Sequence, residues 1–281
     1  MRGDFTMIPD EIIRPSTTVT TASSAAPREP IIEFLDVHKT LGGRPVLQGL
    51  DLTICRGESL VILGGSGQGK SVALRHIVGI HRADRGQVIV DGTDVGAADV
   101  EALDRLHAKV GYCFQGSALL GSLSVFDNLA LPLRMRTGMG EEEVRERVHR
   151  ALGLVGLKMR AAMMPADLSG GMRKRVGLAR AIVTDPKIIL YDEPTSGLDP
   201  VTSSVINGLI EKLHRNLQVT SVIVTHDLES AYRVADRIAL IVWGRIASLG
   251  TAAEIRASLD PVVHQFIHGE VLGPLTEKDS P

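Results

Sequence analysis

The chain has 281 residues, 44% of them hydrophobic, and 31 Lys and Arg against 33 Asp and Glu, for a formal net charge of −2. That length fits one large domain or a domain with small additions, with enough apolar residues for a full core. A balance so near zero, with the basic residues scattered along the chain, argues against a nucleic-acid partner. The two cysteines, Cys55 and Cys113, each sit in an apolar run and read as buried small hydrophobes in a reducing compartment. No apolar run approaches the length of a membrane span, and the N-terminus lacks a secretory pattern. The chain is therefore expected to be cytosolic, with any membrane role reached through a partner.

Residues 1–30 are rich in Thr, Ser, Ala and Pro without helical or strand periodicity, which predicts a disordered extension. Residues 31–37 alternate as a strand does, Gly42 and Gly43 make a turn, and residues 46–54 supply one or two further strands. This is a small antiparallel layer. A short apolar run through Leu63 then opens into Gly64, Gly65, Ser66, Gly67, Gln68, Gly69, Lys70 and Ser71, and a helix starts at Val72. The spacing is that of a phosphate loop. Glycines let backbone N–H groups approach phosphate oxygens, and the helix N-terminus adds about half a positive charge at the same place. Lys70 would reach the outer phosphates, and the Ser71 hydroxyl suits Mg²⁺.

Residues 87–90 read as a strand entering the tight turn Asp91-Gly92, and residues 110–114 as another, ending at Gln115. From 116 to 165 the texture turns helical. Three successive glutamates, Glu141 to Glu143, suit a helix N-terminus. Val144, Val148, Leu152 and Val155 recur at helical spacing, which predicts a small helical subdomain inserted into the core. Leu119, Leu120, Leu123 and Phe126 either pack that subdomain or form an exposed docking patch. Residues 168–183 begin with a Ser169-Gly170-Gly171 turn and continue as a helix, a second cradle for an anion. In that helix Arg173, Lys174 and Arg175 read as a solvated face or as residues that steer ATP.

Residues 187–191 are a buried-type strand that delivers Asp192 and Glu193, and residues 220–225 are another, closing on His226. At a strand end, neighbouring carboxylates can diverge, one toward a metal and one toward an attacking water. Residues 238–247 form a hairpin through Gly244, with Trp243 as packing. Apolar strands alternating with helices imply a mostly parallel sheet covered on both faces. The candidate residues all lie beyond the carboxyl ends of strands, where nucleotides bind such sheets.

With these motifs in this order, the chain resembles the ATP-binding subunit of ABC transporters. The match runs from residue 31 to 250, the expected ATPase domain, with residues 251–281 as a C-terminal helical tail. The resemblance implies an α/β P-loop NTPase of RecA-like type, with a mostly parallel core, an antiparallel β layer and a helical insert. It implies ATP and Mg²⁺ as ligands, with Ser71, Gln115 and Asp192 around the metal. Glu193 would act as general base, His226 would hold the γ-phosphate and position Glu193, and Gln115 would sense Mg²⁺ and the membrane partner. Two subunits would close head to tail, with Ser169, Gly170 and Gly171 binding the neighbour's γ-phosphate and Asp199 touching the opposite subunit. Leu41 stands where an aromatic usually stacks on adenine, which leaves base selectivity open to GTP, and Met172 stands where the signature usually ends in Gln.

The longer stretches around 116–134, 168–176 and 263–275 are similar to the Mla/Mkl-like branch, ATPases of phospholipid-trafficking systems. That branch implies an integral membrane permease, an MCE-type periplasmic lipid-binding protein, a possible STAS-type subunit, and a place on the cytoplasmic face of the inner membrane. Another cargo remains open, since cargo never touches this subunit. Residues 115–168 are too short for the coiled coil of DNA-acting relatives, and one cassette argues against a ribosomal type. Residues 261–267 are expected to form an amphipathic helix with Val262, Gln265 and Phe266 on one face, packed on its own core or on the opposite subunit.

Overall fold

The computed structural model describes residues 29–277. The predicted disordered extension falls almost wholly on residues 1–28, outside the described residues. Strand β1 (Pro30–Leu41) turns through Gly42 and Gly43 into a single strand, β2 (Arg44–Cys55). With β4 (Arg85–Val90) and β5 (Thr93–Asp94) they form an antiparallel sheet in the order β2-β1-β4-β5. Asp91 and Gly92 join β4 to β5 with φ of 45° and 78°, the left-handed pair that a two-residue hairpin turn requires.

The second sheet runs β10-β9-β3-β8-β7-β6, from β3 (Ser59–Leu63), β6 (Val110–Cys113), β7 (Ile188–Asp192), β8 (Thr220–Thr225), β9 (Arg237–Val242) and β10 (Arg245–Gly250). Pairing is parallel from β9 through β6, and β10 adds an antiparallel edge. Because side chains alternate along a strand, each strand feeds two cores. Val61, Leu63, Ile189, Tyr191 and Ile223 join one apolar cluster. Leu60, Ile62, Ile188, Leu190 and Val222 join the other. Both faces are covered, so these strands read as unbroken apolar runs.

The second cluster lies toward the antiparallel sheet, α1 (Lys70–Ile77) and α2 (Val100–His107). The first lies toward α3 (Val125–Arg136), α4 (Glu141–Leu154), α5 (Gly170–Ile182), α6 (Pro200–Leu217), α7 (Leu228–Val234) and α8 (Ala252–Arg256). Val144, Val148, Leu152 and Val155 are all buried in it, so the predicted helical segment shares its core with the parallel sheet. Of the predicted patch, Leu119 and Phe126 pack on this core, while Leu120 stays 46% exposed.

One expectation changes here. Cys113 is buried, but Cys55, at the end of a strand, is only half-buried. The tail helix α9 (Pro261–His268) lays the expected face on the chain's own core: Gln265 is buried, Val262 and Phe266 are partly covered, and Val263 is buried beside them. Gln265 also anchors the chain beyond the helix. Its amide donates to Glu270 O and Thr276 Oγ1, and its Oε1 accepts from Leu275 N at 2.7 Å, so one buried polar side chain ties down the turn that follows.

Candidate functional site

The glycine loop occupies the gap between β3 and α1. Gly64 is required by close approach, since an added Cβ would lie 2.5 Å from Ile241 O. Gly69, the residue before α1, has φ 95°, and a Cβ there would meet Val46 O at 2.9 Å. Gln68 ties the loop to the β9–β10 turn, accepting from Trp243 N at 2.5 Å. Ser66 and Gly67 are exposed, Gly65 is half-buried, and Val72 packs on the second core.

Lys70 folds back over this loop, donating to Gly64 O at 2.9 Å and Gly65 O at 2.8 Å. Burial pushes its pKa below the usual lysine value, against the pull of nearby Glu193. The Glu193 carboxylate is 3.7 Å away. On α1, Ser71 Oγ donates to Asp192 Oδ1 at 2.7 Å, across 121 residues of sequence. The parallel register that sets Asp192 opposite Val224 brings the end of β7 to the loop. Tyr112 OH holds the other Asp192 oxygen at 3.3 Å.

Asp192 and Glu193 diverge. Glu193 has φ 48°, a left-handed conformation that is uncommon for a residue with a long side chain and is concentrated at functional sites. Its N–H donates to Val224 O at 3.0 Å, and its carboxylate lies 3.0 Å from His226 Nδ1. Both groups follow from the sheet: β8 ends at Thr225, so His226 emerges beside the end of β7. A hydroxyl and a carboxylate 2.7 Å apart are hard oxygen donors, the set that Mg²⁺ takes together with water and phosphate oxygens.

Other predicted residues lie apart from this cluster. Gln115 is exposed, and its Nε2 is 3.4 Å from Ser196 Oγ rather than on the Ser71–Asp192 pair. Ser169 caps α5 through Met172 N, and Ser169, Gly170 and Gly171 line a separate groove of about 530 Å³ with Gly197, Leu198 and Thr202. Asp199 lines the same groove but is engaged as the cap of α6, accepting from Val201 N at 3.0 Å and Thr202 N at 2.9 Å. Leu41 is half-buried at the tip of the first hairpin, opposite Arg44.

Lys174 corrects the reading of the basic run. It is 7% exposed, with Nζ donating to Gln115 O at 2.5 Å and Glu193 O at 3.2 Å. Helical spacing carried the signal: Lys174 shares a face with Gly177, Leu178 and Ala181, all buried, whereas Arg173 is exposed. Tyr112 carries no such signal, because nothing local marks a strand tyrosine as a partner of a distant aspartate.

A strand, a glycine loop and a helix, with a second strand carrying a carboxylate to the loop's serine, define a P-loop nucleoside-triphosphatase cassette. Residues 47–196 match the family model described as ABC transporter. The ribonucleotide transport ATP-binding protein mkl of Mycobacterium tuberculosis, itself designated probable, is 41% identical over 251 residues, 88% of this chain and 70% of that one. The methionine import ATP-binding protein MetN of Caulobacter vibrioides is 44% identical over 227 residues, 80% of this chain and 68% of its own. The intermembrane phospholipid transport system ATP-binding protein MlaF of Haemophilus influenzae is 37% identical over 248 residues, 88% and 94% of the two chains. Among solved structures, a dimeric post-hydrolysis state of the ATP-binding cassette MJ0796 bound to ADP and Pi superposes with TM-score 0.73 at 32% identity, covering 79% of this chain and 99% of that one. The chain belongs to the ABC transporter family, as an ATPase subunit.

Proposed function

We propose that this subunit hydrolyses ATP at a site shared between two copies and drives phospholipid movement through a membrane permease. The observation that carries the hydrolytic part is the cluster at the strand ends, where Lys70, Ser71, Asp192, Glu193 and His226 meet through contacts of 2.7 to 3.7 Å. Backbone N–H groups of residues 64–69 and the Lys70 ammonium bind the β- and γ-phosphates. Ser71 and Asp192 would hold Mg²⁺, which would neutralise phosphate charge. Glu193 accepts the proton of the attacking water, and His226 orients that carboxylate through its Nδ1 contact and meets the γ-phosphate.

The signature residues Ser169, Gly170 and Gly171 line a groove to which no residue of the Lys70 loop contributes. That separation supports a head-to-tail pair in which each copy completes the other's site, with Asp199 at the seam. The dimeric cassette among the structural relatives supports the same reading. In this arrangement Gln115, which here contacts Ser196, would serve as a further oxygen ligand beside Ser71 and Asp192.

This chain offers such a permease an apolar surface. Ile80, Phe114, Leu120 and Met135 are exposed around a groove of about 560 Å³ between the sheet and α3, and they suit a short cytoplasmic helix of a membrane protein. No described helix is long and apolar enough to cross a membrane, so contact with the bilayer would come through that partner. The phospholipid cargo, the MCE-type periplasmic protein and the STAS-type subunit rest on the branch resemblance and on MlaF, which matches over nearly its whole length. A second reading, import of a small solute such as an amino acid, is favoured by the 44% identity with MetN.

The test has two arms. Phosphate release per subunit should rise with protein concentration and level off as dimers form, and a rate flat across the dimer constant would overturn the shared site. Isolation of the chain from detergent-solubilised membranes should bring a permease and bound phospholipid. A permease copurifying with a substrate-binding protein for amino acids would favour the second reading.

A further inference from the structure

One face of α5 holds the loop that follows Gln115. Lys174, Gly177 and Arg180 recur every third residue on it. Lys174 Nζ donates to Gln115 O, and Arg180 donates to Ser117 O at 2.9 Å and Ala118 O at 2.7 Å. Gly177 lets the loop close in, since a Cβ there would lie 3.3 Å from Ser117 Cβ. Ser117 and Ala118 both have positive φ, 62° and 45°, so the loop is held in a conformation that it would not keep unaided.

Lys174 also donates to Glu193 O at 3.2 Å. It is 7% exposed, and its two hydrogen bonds go to main-chain carbonyls. Desolvation opposes the charged form there, so for packing alone an apolar side chain of the same length would serve as well. What the ammonium adds is a bridge between two segments 78 residues apart in the chain, the loop at 115 and the turn at 193. The turn is held on both sides. Glu193 N–H is anchored on Val224 O, its carbonyl on Lys174, and the residue between them has φ 48°.

We propose that Lys174 is a positioning residue for hydrolysis, tying the Gln115 loop to the Glu193 peptide so that the carboxylate is aimed only while that loop is in place. The inference rests on Glu193 being the general base. It gives a partner that presses on residues 116–120 a two-hydrogen-bond route to the reaction centre, without contact with nucleotide.

The test uses the full chain at saturating ATP, with thermal unfolding measured alongside. Lys174→Met should lower kcat by about ten- to a hundredfold, the effect of a small misplacement of a reacting group, while KM for ATP stays within about twofold. Lys174→Arg, whose fork can reach both carbonyls, should restore most of kcat. If the Met variant does not fold, Lys174→Gln decides, since its single amide cannot hold both carbonyls as firmly and kcat should again fall. Glu193→Gln is run in parallel. If it abolishes turnover while the Met or Gln variant keeps kcat near the parent's, the positioning role is overturned and the general base stands. A lower unfolding temperature with unchanged kcat, or a change in KM alone, also overturns it. Undiminished turnover by Glu193→Gln would remove the general base and the inference with it.

Discussion

Gly111, in the middle of β6, tests how the second sheet and α5 are joined. A Cβ added there would lie 2.0 Å from Ala181 O, 2.9 Å from Ala181 C and 3.2 Å from Pro186 Cγ. Ordinary carbon–oxygen contacts fall near 3.4 Å, so Gly111→Ala must open a gap of about 1.4 Å. Neither side yields cheaply. Gly111 is registered against Ile189 in β7, and Ala181 is main chain in the last turn of α5. The cost should reach the upper end of overpacking, about 3 kcal/mol, which for a chain of this size lowers the melting temperature by about 6–12 °C. Turnover should fall as well, because β6 leads to Gln115 and α5 carries Lys174. Gly153→Ala is the control. Gly153 lies on the exposed side of α4 with nothing within 4 Å of an added Cβ, so that change should stabilise by about 0.4–1 kcal/mol. Circular-dichroism melts of both variants decide the matter. A Gly111→Ala protein melting within about 2 °C of the parent would show that α5 and β6 are not held as described.

Glu193→Gln keeps the shape and the left-handed backbone but removes the proton acceptor, so kcat should fall by about 10²- to 10⁴-fold while ATP binding persists. Equilibrium nucleotide binding and phosphate release read the two effects separately, and near-normal release would exclude the role. Asp91 is 10% exposed among Lys109, Arg56 and Lys187, whose hydrogen bonds hold its carboxyl well below the usual range. A carboxylate depressed on folding adds stability above the unfolded pKa, about 3.9, and loses it as pH falls toward the folded value. Asp91→Asn should therefore cost about 2 kcal/mol at neutral pH, discounted from the buried-pair range because its cations are partly exposed. Denaturant melts should show the gap to the parent closing below about pH 4. A constant gap from pH 7 to pH 3 would refute the assignment.

Local chemistry determined much of this protein. The glycine loop, the serine cap of α5, the Asp91-Gly92 turn and the unbroken apolar strands all follow from what neighbouring residues permit, so they were legible in order along the chain. The family resemblance implied roles for Glu193 and His226, and the sheet brings those two side chains within 3.0 Å. What the sequence could not supply was the partner of a side chain across a long stretch of chain. Strand order puts Asp192 beside Ser71 and Tyr112, and helix packing turns Lys174 inward from between two arginines. Asp199 and Gln265 likewise found partners at a helix start and a chain turn. A motif records the backbone that a residue needs, whereas its hydrogen bonds depend on which distant elements the hydrophobic cores bring alongside it.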